Sequence, residues 1–145
     1  MKFLGIDYGA KRIGIAVSDE SGKLAFPKEV LKNGSKIFAE LAKMIKTENI
    51  LEIVIGESTN LKNQKNKIFE DIENFILSFK KEFKLPIHKQ KEFFTSVEAQ
   101  MKEGKEKNNA RKIKKIKKMK NDAEAATLIL QRYLDRRFQE ERKNN

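Results

Sequence analysis

Residues 1–19 read MKFLGIDYGAKRIGIAVSD, and this stretch predicts two antiparallel strands joined by a tight turn. The first apolar strand ends at Asp7, the turn spans residues 8–11, and a second apolar run covers residues 13–17. An ionised carboxylate beside a buried strand costs free energy unless a partner compensates for it. The pattern therefore predicts an acid at the open edge of a sheet, where a metal ion, hydrogen-bond donors or a phosphate would balance its charge.

The rest of the chain alternates strands and helices, and Pro27 predicts that the third strand is a sheet edge. The predicted elements are a strand at residues 24–31, a helix capped within 33–35 that ends near Asn49, a strand at 50–56, a helix through 68–83, a short strand from Ile87, and a helix over 122–138. The apolar stripe of the last helix is Ala125, Ala126, Leu128, Ile129, Tyr133 and Leu134. This order predicts an α/β fold with a mixed five-stranded sheet, in which three antiparallel strands are followed by two parallel strands reached through helical crossovers.

The composition restricts both the class of protein and the kind of metal site. A length of 145 residues favours one domain over residues 1–145, and the absence of a long apolar run or a signal sequence leads us to expect a cytoplasmic protein without a membrane partner. The chain has no Cys and a single His, His88, which we interpret as an ordinary surface or half-buried residue. Any metal must then be held by oxygen, which suits Mg²⁺ or Mn²⁺.

Most of the net charge of +11 lies in one segment, because residues 102–120 hold ten basic residues and two acidic ones. Such a cluster is typical of a surface that binds nucleic acid. The candidate contacts within it are Arg111, Lys112, Lys114, Lys115, Lys117 and Lys118. The segment is either a helix that extends the last one or a loop that its ligand orders.

Three segments together resemble the YqgF/RuvX family: GIDYGAKRIGIAVSD at 5–19, KEFFTSVEA at 91–99 and DAEAATLILQRYL at 122–134. That family has a ribonuclease H-like fold and is described both as a Holliday junction resolvase and as a nuclease that matures the 5′ end of pre-16S rRNA. The resemblance implies a metal-dependent nuclease of ribosome biogenesis. It would act on structured RNA, including RNA in pre-ribosomal particles, as a monomer or weak homodimer.

The chain departs from the family pattern in two places. Where the family reads Asp-Glu-Arg-Leu-Thr-Thr, residues 91–96 read KEFFTS, so that Glu92 survives while an Asp and an Arg are lost. Where the family places an apolar residue and Pro after the fourth-strand Gly, this chain has Glu57 and Ser58. Glu57 is therefore a second candidate, beside Glu92, for an acidic ligand.

The resemblance implies that acids from four segments form the catalytic and metal-binding site. These acids are Asp7, Glu57, Glu92 and Asp122. Carboxylates a few ångströms apart repel one another, so a cluster of them implies cations between them. Each acid also has a structural interpretation: a turn cap for Asp7, a helix N-cap for Asp122, and solvated strand-end charges for Glu57 and Glu92. Tyr8, Lys11 and Arg12 flank Asp7 and are candidate nucleic-acid contacts.

Several functions compete with rRNA processing. A DNA junction resolvase uses the same chemistry, because contacts to the phosphate backbone dominate the binding of both nucleic acids. The altered middle motif allows a nucleic-acid-binding module whose nuclease centre has decayed. Sugar kinases and actin-like ATPases share the opening strand, Asp and Gly turn, but they need two such domains around a nucleotide, which 145 residues do not supply.

Overall fold

The structure is a computed structural model that describes residues 1–58, 67–92 and 107–144, with side chains described at all of these positions except 58, 67, 92 and 107–122. The strands are β1 (Lys2–Tyr8), β2 (Arg12–Ser18), β3 (Ala25–Lys32), β4 (Ile50–Ser58) and β5 (Ile87–Glu92). The helices in the described part of the chain are α1 (Ile37–Thr47), α2 (Lys67–Glu82) and α3 (Lys107–Lys143). None of these helices is both long and apolar enough to cross a membrane.

The five strands form one mixed sheet in the order β3-β2-β1-β4-β5. Strand β2 runs antiparallel to β1 and β3, whereas β4 runs parallel to β1 and β5. This confirms the predicted sheet, including the pairing of the first and fourth strands, and it is the strand order of a ribonuclease H-like fold. Strand β1 is central, so the acid near its carboxyl end lies in the middle of the sheet.

Strand β3 is a sheet edge, as the position of Pro27 predicted. Pro27 pairs with Ala16, and the register shifts between Ile15 and Ala16, where Ile15 pairs with Glu29. One residue of β3, Lys28, is thus left over as a bulge. Because proline has no N–H to donate, an edge strand with a bulge is where a sheet tolerates it.

The two faces of the sheet are covered by different helices. Leu4 and Ile6 of β1 pack in a buried cluster with residues of α1 and α2, including Phe79. Phe3 lies on the other face, where its ring centroid is 5.9 Å from that of Tyr133 in α3. Successive side chains of a strand point to opposite faces. The sheet therefore separates a layer of α1 and α2 from a layer formed by α3.

Helix α3 approaches β1 most closely at Gly5. A Cβ atom at this position would lie 2.8 Å from the Cβ of Leu130 and 3.0 Å from the backbone oxygen of Ala126. Real Cβ atoms do not tolerate such contacts, so only glycine lets the helix lie this near the strand. Gly5 therefore sets the distance between α3 and the sheet.

The start of the last helix is wrong in the sequence-based prediction. Helix α3 begins at Lys107, fifteen residues before Asp122, so the interpretation of Asp122 as an N-cap or first-turn acid is also wrong. The basic segment is the amino half of this helix, as the first of its two alternatives predicted. Residues 107–143 contain neither Pro nor Gly, and nothing in the sequence ends the helix between its basic and apolar halves.

Two smaller predictions also need correction. Leu128 is 56% exposed, whereas Leu130 is fully buried, because the stripe that faces the sheet follows residues 126, 129, 130, 133 and 134. The N-cap of α1 is Lys36, which makes no side-chain capping hydrogen bond, rather than a residue within 33–35. Asn33 instead bonds the β1–β2 turn, through its Nδ2 donating to the backbone oxygen of Gly9 at 2.9 Å.

The turn between β2 and β3 is organised by Asp19. One carboxylate oxygen accepts the backbone N–H groups of Lys23 and Leu24 at 2.9 and 3.1 Å, and the other accepts the hydroxyl of Ser21 at 2.6 Å. The Ser21 bond is the largest cause that lowers the pKa of Asp19 from 3.8 to about 2, followed by the two backbone bonds. The charged form of Asp19 thus stabilises this turn.

We expect Gly5→Ala to lower the free energy of unfolding by about 1–3 kcal/mol, the usual cost of forcing an extra carbon into a packed contact. Urea denaturation measures the change. Gly34→Ala is the matched control, because a Cβ at Gly34 would meet nothing within 4 Å. Equal stability of the two variants would contradict the proposed role of Gly5 in spacing the helix.

We expect the stability of the wild type to fall more steeply than that of Asp19→Asn as the pH drops from 3.8 towards 2. A carboxyl whose pKa is lowered in the folded state stabilises the fold above its unfolded pKa and loses that contribution as the pH falls through its folded pKa. Urea denaturation over this pH range, with Glu20→Gln as a charge-matched control, measures the effect. Parallel pH profiles for the wild type and Asp19→Asn would refute it.

Candidate active site beside α3

Asp7 is half-buried near the carboxyl end of the central strand. Phe3 and Gly5 contact α3, and Tyr8 packs its ring 5.1 Å from that of Phe75 in α2. By the two-residue alternation of a strand, Asp7 shares the face of Phe3 and Gly5. The acid therefore lies on the α3 face of the sheet, and Tyr8 lies on the opposite face.

The neighbours of Asp7 in its row of the sheet are both glycines. Asp7 pairs with Gly14 on β2. On the other side Ile6 pairs with Ile55, so Gly56 is next to Asp7 along β4. Residues that pair across strands share a face. Neither of the two residues paired with Asp7 in this row therefore has a side chain beside the carboxylate.

The turn after Asp7 is held in a fixed shape. A Cβ at Gly9 would lie 2.4 Å from the backbone oxygen of Arg12, so this position requires glycine. The backbone N–H of Asn33 donates to the oxygen of Lys11 at 2.9 Å, and its side-chain amide donates to the oxygen of Gly9. The segment that carries Lys11 and Arg12, both exposed, is thus tied to the start of α1.

Helix α3 runs antiparallel to β1. Tyr133 contacts Phe3, and Ala126 and Leu130, which come earlier in the helix, contact Gly5. One further turn towards the amino end, about 5.4 Å, leads to position 122, while two residues along the strand, about 6.6 Å, lead from Gly5 to Asp7. The direction of the helix therefore carries its backbone at position 122 towards Asp7.

Strand β5 contributes an amide to the same row. Gly56 pairs with Gln90, so the row reads Gly14, Asp7, Gly56, Gln90 across four strands. The ring of His88, two residues earlier, stacks on Tyr133 of α3 at 5.0 Å, which fixes the α3 face for alternate positions of β5. Gln90 is only 7% exposed, and its Oε1 has no hydrogen-bond partner among the residues that the structure describes. Such an atom is rare in folded proteins and marks a site to explain.

Glu57 lies on the other face of the sheet. Its neighbour two residues before, Ile55, belongs to the cluster with α1 and α2. Its partner across β5 is Lys91, and Lys89 on the same face of β5 bonds Glu73 of α2. Glu57 and Asp7 thus point to opposite sides of the sheet, and the structure does not bring them together.

The side chains of Glu92 and Asp122 lie outside those that the structure describes, although their backbone positions are known. Position 92 pairs with Ser58, two residues beyond Gln90. Thr95 and Ser96 of the middle motif lie outside the described residues. The side chains of the basic residues from Arg111 to Lys118 are also outside that set, although their backbone is helical.

The described side chains include no group of three His, Asp or Glu residues placed to hold a metal ion. Asp7 and Gln90 supply oxygen atoms of the kind that Mg²⁺ and Mn²⁺ prefer. His88 is half-buried, as expected, and its Nε2 lies 3.0 Å from a carboxylate oxygen of Glu52. The amide oxygen of Gln90, which lacks a partner among the described residues, is a further oxygen atom on the α3 face that suits a cation of this kind.

Sequence reasoning missed Gln90, although β5 carried a signal. Positions 88, 90 and 92 of this strand are His, Gln and Glu, so one face of a strand beside the core is polar throughout. Polar residues at every second position depart from the apolar pattern of parallel strands. Such a departure is typical of a strand that contributes residues to a functional site.

Comparison with known proteins agrees with the topology. The model of the RuvX family, described as Holliday junction resolvase, matches residues 1–136. A protein of Lawsonia intracellularis named "Putative pre-16S rRNA nuclease" is 35% identical over 93% of this chain and 94% of its own length. A protein of the same name from Sulfurihydrogenibium sp. is 38% identical over 93% of this chain and 90% of its own.

Among solved structures, the Thermus thermophilus RuvC structure covers 63% of this chain and 64% of its own, with a TM-score of 0.48 and 18% identity. The family match extends over most of the sequence, and the two relatives exceed 30% identity over nearly all of it. The chain therefore belongs to the RuvX family of Holliday junction resolvases and is a nuclease, a hydrolase that acts on phosphodiester bonds.

Proposed function

We propose that this chain is a divalent-metal-dependent nuclease that processes the 5′ end of pre-16S rRNA, with residues 1–145 as a single nuclease domain. The observation that carries the proposal is the half-buried Asp7 on the α3 face of the central strand, with glycines on both sides. The names of the relatives from two bacteria support the RNA substrate. A cytoplasmic location, where ribosomal RNA matures in bacteria, agrees with that role.

The proposed catalytic acids are Asp7, Glu92 and Asp122. The alternation of β5 supports Glu92, because alternate positions of a strand share a face, and the direction of α3 supports Asp122, because the helix runs from position 126 towards Asp7. Glu57, which faces α2, is the weaker candidate for the third ligand. The two-residue alternation of β5 thus favours Glu92 over Glu57 as the third acidic ligand, a choice that the sequence left open.

Mg²⁺ or Mn²⁺ would be held by these carboxylates, since the chain offers no Cys and its His88 is engaged with Glu52. Held there, such an ion would supply Lewis-acid polarisation of the scissile phosphate and of the attacking water. The residues of the chain supply the rest. Asp7 and Asp122 would bind and orient the ion from a strand and a helix. The turn that is hydrogen-bonded at Gly9 keeps Asp7 in position.

The amino half of α3 is the proposed binding surface for structured RNA, free or within pre-ribosomal particles. It holds Arg111, Lys112, Lys114, Lys115, Lys117 and Lys118. These residues precede Asp122 in one continuous helix, so phosphates bound there lie next to the proposed site. Lys11 and Arg12, exposed in the turn after Asp7, are the proposed contacts on the β1 side. Tyr8 packs on Phe75, so we propose that it supports the packing of α2 on the sheet in addition to contacting nucleic acid.

A four-way DNA junction is the second candidate substrate, because the matching family carries the description of a Holliday junction resolvase. Both substrates present phosphodiester backbones to the same basic helix. A binding module with a decayed centre would bind both nucleic acids and cut neither. We propose a monomer or weak homodimer in each case.

We expect Asp7→Asn, Glu92→Gln and Asp122→Asn each to reduce cleavage of a pre-16S 5′-leader RNA in Mn²⁺ by about 100-fold or more, which corresponds to roughly 2.7 kcal/mol of transition-state stabilisation. Each change removes one charged oxygen ligand and keeps the side-chain shape. Gel analysis of end-labelled RNA and of a labelled four-way junction, run in parallel, measures both activities.

Glu57→Gln is the matched control, because Glu57 faces away from Asp7. Its cleavage rate should stay within about threefold of the wild-type rate, a difference of less than 1.36 kcal/mol in activation free energy. Undiminished cutting by Asp7→Asn and Asp122→Asn would refute the carboxylate mechanism. Cutting of the junction but not of the RNA would reverse the order of the two substrates.

We expect replacement of Lys114, Lys115, Lys117 and Lys118 by Ala to weaken RNA binding and to lower the slope of log K against log salt by roughly 3, at about 0.7–0.9 per lost phosphate contact. Fluorescence anisotropy over a salt series measures the slope. Replacement of the exposed lysines 43, 46, 80 and 81 on α1 and α2 removes the same charge elsewhere. If both sets change the slope equally, net charge rather than α3 governs binding.

A further inference from the structure

Gln90 is a buried amide whose oxygen accepts no hydrogen bond from the part of the chain that the structure describes. Only 7% of the residue is exposed, and its Nε2 donates to the backbone oxygen of Lys91 at a long 3.5 Å. Leaving a buried acceptor unpaired destabilises a fold relative to an apolar side chain at the same place. The fold therefore carries a destabilising group in a strand position that an apolar residue would fill.

Gln131, in contrast, shows what a structural glutamine looks like in this fold. Its Oε1 accepts the N–H of Ala25 at 2.9 Å. Its Nε2 donates to the oxygen of Lys23 at 2.9 Å and to the carboxylate of Asp135 at 3.0 Å. Gln131 thus connects α3 to the start of β3, and both its amide oxygen and its amide nitrogen are hydrogen-bonded. Nothing comparable explains Gln90 as a structural element.

The position of Gln90 relates it to Asp7. Both residues lie in one row on the α3 face, separated only by Gly56 of β4. Strands are spaced by about 4.8 Å, so the two backbones are about 10 Å apart, and Gly56 itself places no side chain between them. An Asp and a Gln extending from these backbones can reach one ion held above Gly56.

We propose that the amide oxygen of Gln90 is a ligand of the divalent cation that Asp7 binds, which makes Gln90 a further metal-site residue of this chain. The inference rests on the proposed metal-dependent nuclease function. A carbonyl oxygen is a hard ligand that suits Mg²⁺ and Mn²⁺. Because it is neutral, it adds a ligand without adding to the repulsion among the carboxylates. The ion in turn supplies the partner that Oε1 lacks.

The test is the binding of Mn²⁺ to the full-length chain without substrate, measured by titration calorimetry and by the electron paramagnetic resonance signal of free Mn²⁺. We expect Gln90→Leu to weaken Mn²⁺ binding at least tenfold and to leave metal-free stability in urea unchanged or higher, because the unpaired oxygen is gone. Gln90→Glu restores an oxygen ligand and should recover the affinity. Gln131→Leu is the matched control, and it should lower stability while leaving Mn²⁺ affinity unchanged.

A second measurement needs no variant. In nuclear magnetic resonance spectra of the wild type, Mg²⁺ should shift the side-chain amide signals of Gln90 and the carboxyl carbon of Asp7, and leave the amide signals of Gln131 in place. Wild-type affinity of Gln90→Leu, or a shift of Asp7 without Gln90, overturns the role of Gln90 alone. Failure of both Asp7→Asn and Gln90→Leu to weaken Mn²⁺ binding overturns the metal site itself, and the proposed function with it.

Discussion

The contact between α3 and the backbone of β1 at Gly5 is the constraint on which the site depends. Leu130 and Ala126 approach a position where any side chain would collide with them. This contact fixes the height of the helix above the sheet, and its antiparallel direction carries the earlier turns of α3 towards Asp7. A nuclease site needs its groups held within fractions of an ångström. The direct contact of the Gly5 backbone with Leu130 and Ala126 would provide such a constraint for the proposed site.

Glycine recurs around the acid for a different reason. Gly14 and Gly56 flank Asp7 in its row, and Gly9 closes the turn that follows it. The first two keep the face beside the carboxylate free of strand side chains, and the third holds the chain in a turn that a Cβ would break. The central strand thus carries a half-buried charged group whose row contributes no side chain from the two adjoining strands.

The sequence predicted the fold largely correctly because the signals were local. Apolar runs, turn residues and Pro27 gave the strands, their order and the edge position of β3. The start of α3 was wrong, because apolar periodicity weakens in a lysine-rich segment while helical propensity does not. Leu128 was placed in the core because its spacing fits a stripe only one residue out of phase with the buried one.

The candidate site was less predictable for a physical reason. Alternation along one strand follows from sequence, but the phase between two strands depends on their register, which no local pattern encodes. Glu57 and Glu92 are therefore equivalent in the sequence, and only the pairing of β4 with β5 separates their faces. Gln90 was overlooked because an amide in a short polar strand resembles a solvated residue until its burial is known.

The continuity of α3 has a mechanical consequence. A helix from Lys107 to Lys143 is about 55 Å long, and its carboxyl half is fixed to the sheet through Leu130, Tyr133 and Leu134. Its basic half is part of the same rod, with no glycine or proline hinge between them. In the proposed function, a polyanion bound to the basic half would pull on the same helix that contacts β1 at Gly5. Substrate binding and the position of the proposed site would then be mechanically coupled.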